Sequence, residues 1–316
     1  MANPPVMTVC LAGNAGKYKM GLPVGQLLLR GFMSGVYIAV GAALCTVCGT
    51  EVAKFLGAGF GKLIGGAVFP VGLIATVLTG MELFTGDAML GPLAVMMGKT
   101  GVGSVIKNWV FVYIGNFIGS MAWAYLMVLG PFTQGNFTTA EPNAFALNAV
   151  TIAVAKTLPY KSMGDIGWWS CLANGIGCNF LVNLAILLGI TAKEFIGKFF
   201  GIWFPIMAFV SIGFEHCVAN MYFLPAGLMV YQSFPKIADK VASTAADGTV
   251  TYWSPLLHKF GGLTWGDVWL WNIIPATIGN IIGGMVFIGV VYFLCYRNEF
   301  PEEHRPGYQS GASVGK

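Results

Sequence analysis

One histidine and one glutamate stand side by side in the middle of a long apolar stretch, Gly213-Phe214-Glu215-His216-Cys217-Val218-Ala219-Asn220. An imidazole can donate, accept or carry a proton near neutral pH. In a membrane core an ionisable side chain costs about 2.5–3.5 kcal/mol or more, so such a residue marks a functional position by default. The other two histidines of the chain, His258 and His304, lie in polar surroundings. A second segment, Leu83-Phe84-Thr85-Gly86-Asp87, offers a hydroxyl that either hydrogen-bonds an imidazole or caps a following helix, and the two roles are compatible. Asn179 and Asn183 are four residues apart and share a helical face with Gly175 and Val182. Two amides in an apolar helix need partners, on neighbouring helices or on a solute. Lys161, just before that helix, either attracts anions or is simply solvated.

The elements that must position these residues follow from composition. Of 316 residues 56% are hydrophobic and only 9% charged, with a mean hydropathy of +0.72, whereas soluble domains carry about 25% charged residues. The chain reads as an all-α integral membrane protein. A helix of about 20 apolar residues crosses a core of about 30 Å. Such runs occupy 27–48, 63–80, 107–130, 166–190, 196–213 and 269–295, and shorter apolar pieces at 88–97 and 217–232 follow the second and fifth. The expected fold has six transmembrane helices, with helices 2 and 5 broken.

Residues 1–25 hold no apolar core followed by a small-residue cleavage site, which predicts no signal peptide. Six spans put residues 1–25 and the polar tail 297–316 on one side, around a single membrane domain at 26–296. Ten Lys and Arg residues fall on that side and seven on the other, which favours cytoplasmic termini and insertion in the plasma membrane. No basic cluster points to nucleic acid. Cys45-x-x-Cys48 lacks a second pair or nearby histidine and reads as small buried hydrophobes, and no metal or other cofactor is expected. Asn136-Phe137-Thr138 matches a glycosylation sequon, a common chance match.

The chain contains itself twice. Asn108 and Asn116, in a block ending Gly115-Asn116-Phe117-Ile118-Gly119, match Asn272 and Asn280, in a block ending Gly279-Asn280-Ile281-Ile282-Gly283. Gly80-Met81-Glu82 with Pro92 matches Gly213-Phe214-Glu215 with Pro225, and Asp87 matches Asn220. Repeats at about 26–130 and 166–296 each hold three spans, and an odd number of crossings inverts the second copy relative to the first. Broken helices then meet near the midplane, their free backbone ends tolerated only against protein or a water-filled path. On this alignment Thr85 faces His216 across the pseudo-axis. Glu82 and Glu215, being paired by the repeat, are expected with Asn220 to support the breaks, the carboxylates by accepting from backbone amides. The two Gly-x3-Gly motifs are read as helix packing.

An intramembrane enzyme would need a metal cluster or a nucleophile–base pair, and no His-Glu-x-x-His or second membrane histidine is present. A water- or glycerol-type channel would carry paired Asn-Pro-Ala boxes, and none occurs.

Leu83-Phe84-Thr85-Gly86, the Gly213–Met221 stretch, Cys178-Asn179-Phe180-Leu181-Val182 and the two Gly-Asn-x-Ile-Gly blocks resemble the formate/nitrite transporter family, over about residues 25–295. The resemblance implies an aquaporin-like fold in a homopentamer embedded in the lipid bilayer, with one pore in each protomer. It also implies that His216 is the central pore histidine and Thr85 its partner. Phe69 and Phe209 would form one constriction, and Leu73, Leu83 and Val182 the other. Asn179 would face the substrate, and Lys161 would stand at a vestibule. Three positions depart from the family pattern: Met81 replaces a small residue, Asp87 an asparagine and Asn183 a cysteine.

The implied substrate is formate or another small monovalent anion, with nitrite and hydrosulfide as alternatives. A bare anion meets nothing in two apolar rings that replaces its water, so its passage would be costly. If His216 lends or shares a proton, a neutral acid can cross, while a vestibule lysine and the half-helix N-termini concentrate the anion first.

Overall fold

The computed structural model describes residues 2–137, 142–234, 236–237, 241–244 and 250–306. The sequon's Thr138 and residues 307–316 of the tail lie outside the described residues. The structure is almost wholly helical, with α1 (Pro5–Met20), α2 (Val24–Cys48), α3 (Val52–Leu56), α4 (Ala58–Val68), α5 (Val71–Leu78), α6 (Phe84–Met96) and α7 (Val102–Met127) in the first half. The second half holds α8 (Ala144–Ala155), α9 (Leu158–Ser162), α10 (Asp165–Thr191), α11 (Phe195–Ile212) and α12 (Cys217–Ser233). A short antiparallel hairpin of β1 (Val241–Thr244) and β2 (Val250–Tyr252) follows. The remaining α-helices are α13 (Pro255–Lys259), α14 (Trp265–Val268), α15 (Ile274–Ile282) and α16 (Val291–Tyr296).

Among the described residues six stretches are long and apolar enough to cross a membrane: Val24–Cys48, Ala58–Leu78, Val102–Phe132, Asp165–Thr191, Phe195–Ile212 and Trp265–Tyr296. Their outer faces expose Leu29, Ile106, Phe204 and Leu294, as expected where lipid rather than water is the neighbour. The last stretch runs through α14, a π-helical turn at Trp269–Ile273, α15, a second π-helical segment at Gly283–Val290, and α16.

The helices pack through glycine. A Cβ at Gly119 would strike the Phe32 carbonyl oxygen, and one at Gly279 the Leu172 carbonyl oxygen. These contacts bring α7 against α2 and α15 against α10 at backbone distance.

Two of the chain's helices stop short. Gly80 (φ +73°) ends the run through α5, and Gly213 (φ +95°) ends α11. Both take the left-handed conformation that other residues resist. Three non-helical residues follow in each case, Met81–Leu83 and Phe214–His216, before α6 and α12 start again. Residues 1–25, expected from the sequence as a plain terminal segment, are more than that. The structure makes most of them a helix, α1, which packs along α6. Phe300 of the C-terminal segment is fully buried in a cluster with Val9, Cys10, Met97 and Ile288, so the two ends of the described chain meet.

Candidate functional site

The breaks present an unpaired carbonyl and an unpaired N–H on either side, and both must be satisfied in an apolar interior. In the first half Asn116 does this. Its amide nitrogen donates to the Glu82 carbonyl (3.0 Å) and to Gly31 (2.8 Å), and its oxygen accepts from the Phe84 N–H (3.0 Å). In the second half Asn280 repeats the arrangement, donating to the Glu215 carbonyl (2.9 Å) and Gly175 (2.8 Å) and accepting from the Cys217 N–H (2.9 Å). The Gly-x3-Gly motifs therefore do more than pack helices. The asparagine inside each one fastens the adjacent break.

This corrects the expectation that the carboxylates of Glu82 and Glu215 hold backbone amides. A carboxylate only accepts, whereas a break needs a donor and an acceptor together, and an amide supplies both. The carboxylates take lysines instead. Glu82 lies 2.9 Å from Lys19 of α1. Glu215 lies 2.8 Å from Lys156, at the end of α8, and also accepts from Tyr160 (3.1 Å), Asn220 (2.7 Å) and Asn272 (3.1 Å). Burial and the neighbouring Glu215 carboxylate raise the Tyr160 hydroxyl well above its ordinary value, so it remains a donor. Asn220 supports its break indirectly, by holding Glu215.

Each of these two clusters opens on a cavity. One, of about 160 Å³, is lined by Lys156, Asn220, His216, Phe69, Phe209 and Phe223 among others. The other, of about 250 Å³, is lined by Lys19, Glu82, Asp87, Leu73, Leu83 and Gly86 among others. Phe69 and Phe209 meet edge to face with ring centres 5.6 Å apart, and Phe209 stacks on the His216 ring at 5.7 Å.

His216 lines the smaller cavity, and its Nε2 lies 3.1 Å from Oγ1 of Thr85, whose neighbours Leu83 and Gly86 line the larger one; both His216 and Thr85 are buried. Counted from Gly80 and Gly213, His216 occupies the repeat position of Leu83, and Thr85 that of Val218. Two polar groups thus stand where the other half of the repeat has aliphatic ones. Nδ1 of His216 accepts from the Ala219 N–H (3.0 Å) and caps α12. The neutral ring must then carry its hydrogen on Nε2, directed at Thr85.

Asn179 and Asn183 stand behind this pair. Both donate to the Thr85 carbonyl, at 3.0 and 3.1 Å, and Asn179 also donates to the Asn280 carbonyl. Asn179 lines neither cavity described here, and neither does Val182, which is buried. Lys161 is not at the vestibule as expected. Its ammonium pairs with Asp267 at 2.8 Å and lies over the Phe260 ring at 4.8 Å. Lys156, five residues earlier, holds the cavity position, because the turn between α8 and α9 directs it towards Glu215. Sequence reasoning missed Lys156 and Lys19. Each looks like an ordinary loop lysine, and only the carboxylate across the fold distinguishes it.

The sequence profile of the formate/nitrite transporter family matches residues 7–294. The chain belongs to the formate/nitrite transporter family. Its members are transporters and channels rather than enzymes. The chain is similar to the "Probable formate transporter" of Methanothermobacter thermautotrophicus, 35% identical over 93% of this chain and 97% of that one. It is 36% identical to a formate channel of Bacillus thuringiensis, over 90% of this chain and 92% of the relative. Among solved structures, a "Pentameric formate channel with formate bound" matches with a TM-score of 0.65 and 28% identity, covering 86% of this chain and 97% of that one. A multi-pass membrane protein of this transporter family therefore carries the two cavities and the His216–Thr85 pair.

Proposed function

We propose that this chain conducts formate across the plasma membrane as a homopentamer, with one path through each protomer and both termini in the cytoplasm. The single observation that carries the reading is the buried His216–Thr85 contact at 3.1 Å, with His216 on a cavity that holds Lys156 and the neighbours of Thr85, Leu83 and Gly86, on one that holds Lys19. Formate channels among the relatives and a pentameric solved neighbour support the substrate and the assembly. Inverted halves fit the three spans in each repeat.

The path works by exchanging hydration for hydrogen bonds. Lys156 or Lys19 raises the anion concentration in its vestibule. Between the vestibules stand Phe69 and Phe209 on one side and Leu73, Leu83 and Val182 on the other, which replace no water of a bare anion. The anion takes up a proton from the vestibule water and crosses as its conjugate acid, hydrogen-bonded to the His216–Thr85 pair in the constriction. Nε2–H of His216 supplies the donor, while Nδ1 stays committed to the Ala219 N–H. Asn179 holds the Thr85 carbonyl and so fixes the hydroxyl in place. Lys161, which lines neither cavity, has no part in attraction.

Nitrite, which the family's description names, and hydrosulfide are competing substrates of the same charge and small size. Uptake of formate, nitrite, hydrosulfide and lactate into proteoliposomes under an imposed proton gradient tests the reading. Formate uptake that rises with the inward proton gradient is expected. Impermeability to all four would overturn it.

A further inference from the structure

The two vestibules share a glutamate at the same repeat position and differ in the residue five positions further on. Glu82 and Glu215 share a repeat position, and each takes one ammonium, from Lys19 and Lys156. Five residues later the second half has Asn220 and the first half Asp87. Asn220 donates to Glu215 (2.7 Å) and to Asn272 (2.7 Å), so that vestibule holds one carboxylate, one ammonium and a neutral amide.

Asp87 brings a second carboxylate to the other vestibule. Its Oδ1 lies 3.2 Å from Lys19 Nζ, and its Oδ2 has no hydrogen-bond or ion-pair partner among the described residues. The residue is fully buried and lines the 250 Å³ cavity. The titratable groups that share this cavity with Asp87 are Lys19 and Tyr18 of α1 and Glu82 of the break. From α5 comes the uncharged Thr76, and from α10 the aliphatic Ile186 and Ile190. On α7, Trp109 donates to the Asp87 backbone carbonyl (3.2 Å), and Lys107 is turned away to the Leu22 carbonyl (3.0 Å). Burial alone would pull the Lys19 ammonium down, but Asp87 and Glu82 outweigh it and hold Lys19 above its ordinary value. One fixed positive charge therefore faces two carboxylates. Two carboxylates so close disfavour each other's ionisation, and a proton on one relieves the repulsion.

We propose that Asp87 and Glu82 together hold one exchangeable proton, and that this proton decides whether an anion enters from the α1 face. The step forms one O–H bond with a proton from the water of that vestibule and breaks none in the protein. Without the proton the triad is net negative and repels formate. With it the triad is neutral, and Lys19 attracts formate as Lys156 does on the opposite face. Entry at the Lys156 face requires no such proton, because Asn220 cannot ionise. The proposal rests on the transport reading above and adds a sidedness to it.

The test uses the purified full-length pentamer in planar bilayers, with formate as the probe ion and the pH set separately on each side. Raising the pH from about 6 to about 8 at the α1 face is expected to lower entry from that face roughly tenfold more than the same change at the opposite face. Asp87→Asn removes the difference, and Asn220→Asp confers the steep response on the second face. Flux with equal pH response at the two faces, or a difference that survives D87N, overturns the proposal and leaves the transport reading standing. No anion flux in the unmodified protein overturns both. Infrared difference spectra of the unmodified protein give a readout that does not depend on how the variants fold. A protonated carboxyl band that disappears as the pH rises is expected, and its absence overturns the proposal.

Discussion

The backbone N–H of Ala219 points at Nδ1 of His216 from 3.0 Å, so one face of the imidazole is occupied by the helix it caps. What remains for a passing solute is Nε2 and its hydrogen, shared with Thr85 at 3.1 Å. A second proton on the ring would have to displace the cap. The neutral ring and its single directed N–H are therefore the form the fold stabilises.

His216→Phe is expected to abolish formate uptake driven by a proton gradient while leaving the pentamer intact. Loss of the α12 cap should cost about 1 kcal/mol. Liposome uptake and size-exclusion chromatography check the two halves of this prediction. Undiminished flux with unchanged pH dependence would remove His216 from the mechanism.

Lys156 and Lys161 should behave differently despite their closeness in sequence. Lys156→Met removes the vestibule charge and strands the buried Glu215, and formate flux at low salt should fall roughly tenfold. Lys161→Met breaks a partly exposed pair with Asp267, worth about 0–1 kcal/mol, and flux should change less than about twofold. Equal effects of the two changes would contradict the assignment of Lys156 to the vestibule.

Asn116→Ala and Asn280→Ala each delete three buried hydrogen bonds and leave a carbonyl and an N–H unpaired at a break. Each should destabilise the protein by about 2–4 kcal/mol. Thermal unfolding in detergent, followed by circular dichroism, measures this. If either variant melts with the unmodified protein, the break is held some other way.

The C-terminal segment should loosen in acid. His304 Nδ1 lies 3.0 Å from the Lys99 ammonium. Burial and that ammonium lower the His304 proton affinity, which Glu303 only partly restores. The unfolded ring takes its proton near pH 6.5 and the docked ring only at lower pH. Docking is therefore fully favourable above about pH 6.5 and weakens as the pH falls through that value. Hydrogen exchange around Phe300 should rise between about pH 7.5 and pH 5.5 in the unmodified protein, and His304→Gln should flatten the response.

How much of this was legible beforehand differs from residue to residue. The six spans follow from apolar run length, a one-dimensional property that the cost of unpaired backbone in lipid enforces. The two breaks follow from the half-length apolar pieces behind the second and fifth spans, and the structure makes each break at a left-handed glycine, Gly80 and Gly213. His216 was visible because an ionisable group is rare in an apolar run. The repeat also pointed to Thr85 as its partner.

The lysines were not legible, nor was the division of labour between Glu82, Glu215, Asn116 and Asn280. A lysine's reach and an amide's orientation depend on which backbone groups lie opposite, and those come from elements up to about a hundred residues away. By itself the sequence determined a six-span membrane protein with two interrupted helices and one histidine at an interruption. Only the tertiary structure decided that Lys156 rather than Lys161 faces the cavity, and that Lys19 meets two carboxylates where Lys156 meets one. Electrostatic pairing acts through space, over a few ångströms that sequence separation does not encode.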